Sequence, residues 1–440
     1  MRSPVAAMLL ATALAVGGQI RDRDEPNPRV FERTFELAAP SEVVATVHAG
    51  CSRCSWGAMG REAVALRLAV DSRYSQHVLL ARGKGLADYA VTLGALDPGR
   101  HRLTVELDST LSAAHAFPPT VTGVELRIVD RAEAAYLAQS MAPILHARPN
   151  TIGKFTDLPI LMWYEVQPTA GGWQLRYSVI FTNEDGGTAT DRLMATWGRT
   201  TDIEFVYGVE IDAAGAVVSE QFQGAGHHVP TFKGRHEAKH PLLWIATDNN
   251  MVSDTGSTAI RYAPAPERFD LTDVSREAVM DAHPWSYTLA AEEMAREGKI
   301  ENGAPPGSGK IPDPRRFVFV EACSELEDSA LAFSVRVKNT SGAVRWYDSD
   351  RGLPDFRIAR TGCFRGAVPL PADSGRPDAI RFRAFPRPAR AGAPASAAVT
   401  LRRINKVFML GSDYTPGASL FTWTGSLTLP SDGDWRELSF

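Results

Sequence analysis

The sequence predicts a mostly β protein: three antiparallel β-sandwich-like domains joined by short helical connectors. Three observations carry this. Short runs of alternating apolar and polar residues recur along most of the chain, turn chemistry rich in Gly and Pro separates them, and helical periodicity is confined to brief stretches. At 440 residues the chain also exceeds what one hydrophobic core supports, given about 150 residues per domain. With 44% hydrophobic and 22% charged residues it is globular, and a net charge of −4 lacks the signature of a polyelectrolyte binder. No nucleic-acid partner is expected.

The first 18 residues read as a signal peptide: Arg2, an apolar run from Pro4 to Val16, then the small residues Gly17 and Gly18. The run is shorter than the roughly 20 residues that span a bilayer. A secreted or periplasmic location is therefore expected, with no transmembrane segment in the mature chain. An oxidising compartment favours disulfides, and the economical pairing is local: Cys51 with Cys54, and Cys323 with Cys363. A redox C-x-x-C needs a helix start behind it, and Gly50, Ser55 and Gly57 offer none. A four-cysteine zinc site would need a second C-x-x-C, which is absent.

Residues 28–130 hold VALRLAV, HVLLA, YAVTLG, HRLTVELD and VTGVELRIV, parted by ARGKG, LDPGRH and FPPT, which is sandwich patterning. Trp56, Tyr74 and Tyr89 are aromatic rings that could stack on sugars, with packing as the plainer role. Residues 131–299 open with RAEAAYLAQSMAPIL, a helical connector ending at Pro143. Strand-like LPILMWYEVQ, GWQLRYSVIF, IEFVYGVEID, AVVSEQFQ and LLWIATDNN follow, with DAAG and the NEDGG stretch read as turns. Two helical pieces, Ser275 to Ala282 and Trp285 to Glu297, flank Pro284, with Ser275 placed to cap the first. Residues 300–314, IENGAPPGSGKIPDP, have linker composition. Residues 315–440 resume period two in RFVFVEA, ALAFSVRVK, AIRFRAF and SLFTWTGSLTLP, forming a third sandwich.

Candidate chemistry concentrates between Arg199 and Gly256, which holds four of the ten histidines. His236, Glu237 and His240 spell H-E-x-x-H, a zinc-protease motif only when both histidines share a helical face. Pro241 disfavours helical geometry at His240, so a polar loop followed by the strand LLWIAT is expected instead. His227 and His228 lie in the glycine-flanked GAGHHVP, able to aim an imidazole at Asp202 or Glu204. Such a cluster would bind a divalent metal ion or act as acid and base, with Asp202, Glu204, His227 and His228 as catalytic candidates. His227, His228, His236 and His240 are the metal-ligand candidates. G-x-S-x-G is absent, and GAPPGSGK lacks the frame of a phosphate loop. The sequon Asn339-Thr340-Ser341 carries little weight beside a bacterial-style leader.

The middle domain resembles the vacuolar-sorting sixty-two-like β-sandwich family and its relatives, the necrosis-inducing toxins. The resemblance rests on APILHARPN (142–150), YSVIFTNEDGG (177–187), TTDIEFVYGVEIDAAG (200–215) and HPLLWIATDNN (240–250). Asp202 and Glu204 match the family's D-x-E pair, with Ile203 in place of tryptophan. Arg199, Thr200 and Thr201 replace the histidines ahead of that pair, and Asp248, Asn249 and Asn250 stand where the family has S-H-A. The resemblance implies an all-β domain, while the toxin branch's metal binding and toxicity are not carried over. The expectation is an exported binding protein for glycan or another cell-surface polymer. The alternative is a metal-assisted hydrolase with its site in 199–256.

Overall fold

The computed structural model describes residues 27–184, 186–387, 398–431 and 433–440. The leader read at 1–18 lies outside them. Among the described residues no helix is long and apolar enough to cross a membrane. The architecture is mostly β, built from several sheets with a few short helices.

In the N-terminal unit, a sheet ordered Arg29–Leu37, Gly99–Asp108, Ala65–Val70, Arg73–Leu79 faces a second ordered Leu86–Leu96, Ser41–Gly50, Thr120–Val129. Alternation puts Leu66 and Leu68 in the core between them, with Val43, Val47, Leu103 and Val105. Cys51 and Cys54 are disulfide-bonded and buried in that core, in a turn with no helix behind it. The three candidate sugar platforms are packing residues here. Trp56 is buried and donates to Glu293, Tyr89 is buried with its hydroxyl on the Arg82 amide, and Tyr74 is half-buried against Arg261.

The central unit pairs a sheet ordered Val217–Phe222, Asp202–Asp212, Gly172–Phe181, Pro159–Pro168, Glu267–Arg268 with a smaller one around His240–Ile245. Two of its pairings are parallel: His240–Ile245 with Ile144–His146, and Pro159–Pro168 with Glu267–Arg268. The five-stranded sheet is buried on both faces. Met162, Tyr177, Val179 and Tyr207 meet the smaller sheet, while Leu161, Trp163, Ile180 and Ile203 pack on helices and on the third sandwich. Such two-sided burial explains why LPILMWYEV and IEFVYGVEI are almost unbroken apolar runs.

Four local expectations need correction. The connector helix shrinks to Tyr136–Ser140, and Ile144–His146 is a strand, because Pro143 ends the helix early. The NEDGG stretch does not close a hairpin; the chain crosses through the helix Thr190–Trp197 before pairing as Asp202–Asp212. Ser275 does not cap: the short helix is Ala278–Ala282, and the buried Ser275 hydroxyl has no partner among the described residues. Residues 300–314 fold back on themselves, Ile311 bridging Ile300 and lying buried, and Gly307 N–H reaches Asp191 Oδ2 at 2.7 Å.

The C-terminal sandwich sets Gly362–Pro369, Phe317–Glu327, Ala398–Phe408 and Phe421–Pro430 against Val344–Asp348, Ser329–Asn339, Ser374–Pro386 and Arg436–Ser439. Cys323 and Cys363 sit opposite each other on paired strands and are bonded, closing a loop with a sequence separation of 40. Replacing both by Ser is expected to cost about 4 kcal/mol in the loop-entropy picture. Urea unfolding measures it, and an unmoved midpoint would refute the expectation.

The helix Trp285–Arg296 joins all three units. Leu289 packs with Trp56, Ala63 and Ala81 of the first, while Tyr287 and Met294 share a cluster with Phe317, Phe319 and Phe408 of the third. Arg365 is fully buried at that second junction, held by Asp281, Glu321 and the Tyr287 hydroxyl. Gly198 ends the helix Thr190–Trp197 at φ +61, and a Cβ there would lie 2.8 Å from the Arg365 side chain. Glycine is required on both counts.

Candidate functional site at the end of the central sandwich

A bulge aims Asp202 and Glu204. Tyr177 opposes Tyr207 while Ser178 opposes Phe205, so Val206 is the extra residue, and side-chain parity flips there. Beyond the bulge Tyr207 and Val209 face the core; before it the even residues do, which turns Asp202 and Glu204 inward at the end of the sandwich. Ile203 points the other way, into the cluster shared with the helices.

Loops from both sheets close over the two carboxyls. Asn250, fully buried, donates from Nδ2 to Asp202 Oδ2 at 3.1 Å, to the Asn183 carbonyl at 3.0 Å and to Asp157 Oδ1 at 3.3 Å. Its Oδ1 accepts from no group among the described residues. Arg148 pairs with both Asp157 and Asp248. Arg199 lies 3.6 Å from Asp202 and 3.2 Å from Glu277, so a buried cation serves two acids. Glu184 accepts from the Thr188 amide at 2.8 Å and faces the Asn249 carboxamide. Gly187 has φ +153, a conformation residues with a Cβ rarely adopt, which favours glycine there. Gln223 bridges the rim, donating to Glu204 Oε2 and lying 3.4 Å from His227 Nδ1.

The cluster has more acids than nearby cations to neutralise them. Burial, reinforced by the charge of Asp202, pushes the Glu204 carboxyl up to about 8 and the Glu184 carboxyl up to about 7. Burial also raises Asp202 against the pull of Arg199. Near neutral pH the site thus contains protonated carboxyl groups beside carboxamides, each able to donate as well as accept.

Of the histidines, the structure brings one to this site. His227 meets it through Gln223, at a left-handed φ of +61, whereas the adjacent His228 is exposed outside it. His236 and Glu237 form one arm of a hairpin whose other arm begins at His240, in keeping with the effect of Pro241. His236 contacts Glu220 at 2.7 Å; His240 is buried against Glu42 at 3.2 Å and the Ala142 carbonyl. His227, His228, His236 and His240 therefore do not converge as a metal-ligand set. Among the described residues no three His, Cys, Asp or Glu side chains are grouped so as to hold a metal ion. Sequence reasoning missed Asp157, Asn183, Glu184, Gln223 and Asn250 as members of the site. In the sequence Asp248, Asn249 and Asn250 stand only as a departure from the pattern of a resembling family, not as members of a site.

No family model matches the sequence, and no curated protein matches it. Among solved structures, NLPPya in complex with mannosamine shares 11% identity at a TM-score of 0.24, covering 32% of this chain and 75% of that one. The C-terminal domain of EclA, a sugar-binding protein, shares 16% at 0.18, covering 27% and 89%. A lectin from Pleurotus ostreatus in complex with GalNAc shares 9% at 0.13, covering 94% and 80%. Overlays at these TM-scores carry no functional weight, and the geometry of the site has to bear it.

Proposed function

We propose that this is an exported glycan-binding protein whose central sandwich takes a sugar at the end where its loops meet. The observation that supports this reading is the carboxyl and carboxamide cluster of Asn183, Glu184, Asp202, Glu204, Gln223 and Asn250, with the buried Asn250 carbonyl left without a donor among the described residues. Neighbouring hydroxyls of a sugar donate and accept at once, as amides and protonated carboxyls do. The exposed His227 and half-buried Gln223 form the accessible rim, with Glu184 and Glu204 beneath it. The distant kinship of this sandwich to the vacuolar-sorting sixty-two-like family is part of the proposal, supported by the position of Asp202 and Glu204. So is export, with which the two disulfides agree.

A second reading has one observation in its favour. The Asp202 and Glu204 carboxyls, once ionised, and the orphaned Asn250 oxygen are hard oxygen donors of the kind a divalent cation takes in a metal-assisted hydrolase, although among the described residues no three His, Cys, Asp or Glu side chains are grouped there.

A glycan array with the mature chain, followed by titration of the retained sugar, tests the first reading. Asp202→Ala with Glu204→Ala, which removes donor and acceptor alike, is expected to weaken binding at least about tenfold. Glu237→Gln, in the distant hairpin, is expected to bind as the parent does. Retention of no sugar, or equal affinity in the double variant, would overturn the reading. One equivalent of tightly held divalent metal, lost in that variant, would establish the second.

A further inference from the structure

The third sandwich carries a concave surface that the central site does not use. The edge strand Val344–Asp348, the turn after Gly362–Pro369 and the folded-back stretch 302–312 enclose a cleft of about 620 Å³. Arg316, Arg351, Asp348, Trp346 and Asn302 line it. Both arginines lean on the same wall: Arg316 donates to Asn302 Oδ1 at 3.4 Å, and Arg351 to the Ala304 carbonyl at 2.9 Å.

Among the described residues no ion pair joins either guanidinium to a carboxylate; Asp191 acts on Arg351 and Asp313 interacts with Arg316 only from farther off. Each therefore keeps unused N–H donors. Asp348 is drawn away by Arg381 at 3.4 Å. Both guanidinia line one cleft, and an anion held there would give their unused N–H groups an acceptor. Beside them the half-buried Trp346 ring also lines the cleft, with the Arg381 guanidinium over it at 4.3 Å and that of Arg336 at 5.6 Å, so a pyranose would meet the part of the ring that these leave open. The wall itself is fixed, since Glu301 N–H bonds the Ile311 carbonyl, Ile311 N–H bonds that of Lys299, and Gly307 is tied to Asp191.

We propose that this cleft is a second sugar subsite, specific for an acidic saccharide whose carboxylate is gripped by Arg316 and Arg351 while its ring lies against Trp346. The proposal rests on the glycan-binding reading and adds a sugar class to it. Planar guanidinium forks match a carboxylate in two-point contact, which a neutral hydroxyl cannot reproduce.

Calorimetric titration of the full mature chain with tetragalacturonate, against a neutral galactose tetramer, tests it. The acidic oligomer is expected to bind at least about tenfold more tightly, and less so as salt rises. Arg316→Gln and Arg351→Gln are each expected to lose about tenfold for the acidic oligomer alone, and Trp346→Ala to weaken both oligomers. Thermal melts of these variants should match the parent, because all three side chains reach solvent. Equal binding of the neutral oligomer, no binding of the acidic one, or unchanged affinity in the Arg316→Gln/Arg351→Gln chain would overturn the proposal. The Asp202→Ala/Glu204→Ala chain separates the two readings. It is expected to keep its full affinity for tetragalacturonate, whereas loss there with none in the arginine variants would refute the cleft and leave the central site standing.

Discussion

An Arg365→Ala variant is expected to lose about 3–5 kcal/mol of stability, the cost of leaving buried charges without their counter-ion. Arg365 donates to Asp281 at 2.9 and 3.0 Å and to Glu321 at 3.1 Å, and it has no exposure of its own. Burial draws the Asp281 carboxyl upward, but Arg365 beside it takes it below the usual carboxylate range. Removing the guanidinium strands the buried Glu321 and leaves Asp281 with Lys406 at 3.3 Å as its remaining cation, at the seam between the short helices and the third sandwich. Lysine is expected to rescue little, since one ammonium cannot address both carboxylates in the plane the fork uses. Urea unfolding measures the loss, and a change under about 1 kcal/mol would show that the network is dispensable.

The second large effect is a dependence on pH with an unusual sign. Glu204 and Glu184 are raised in the folded state, to about 8 and about 7, so the native chain binds more protons than the unfolded one at intermediate pH. Stability must then fall as pH rises from about 4.5, the unfolded value, through 7 and 8, and level off beyond. At about 1.4 kcal/mol per pKa unit, Glu204 contributes on the order of 5 kcal/mol and Glu184 on the order of 3 kcal/mol across their windows. Glu204→Gln, neutral at every pH, is expected to flatten the decline and to melt higher than the parent at about pH 8. Melting temperatures from about pH 5 to about pH 9 check this. A parent that stabilises over that range would disprove the assignment of raised carboxyls.

Much of the architecture was legible because period-two alternation is a local signal. VALRLAV could be assigned its buried leucines from their spacing alone. What escaped notice depends on the register between strands and on burial by remote segments. The helix Thr190–Trp197 has few apolar residues in series, and it forms where its side chains meet Arg365 and the third sandwich. The site was half legible. Asp202 and Glu204 stood out as an acidic pair on an apolar run, yet the one-residue bulge at Val206 that turns them inward has no mark in the sequence. Asn183, Asp157 and Asn250 are ordinary loop residues until three chain segments meet. The histidines misled for the converse reason: they cluster in sequence, but the hairpin at His236 carries two of them to other partners.

The helix Trp285–Arg296 also settles how the molecule comes apart. A chain of three sandwiches on loose tethers would melt as three beads, each at its own temperature, and any bead could be cut out and studied alone. Here Leu289, Tyr287 and Met294 are loaned to cores on two sides, and Phe317, Phe319 and Phe408 are covered by a neighbour rather than by their own fold. Excising the third sandwich would bare those rings to water, making the fragment sticky rather than soluble. The natural unit of expression, of crystallisation and of evolutionary exchange is therefore the trio with its keystone helix, much as an arch cannot be moved one leg at a time.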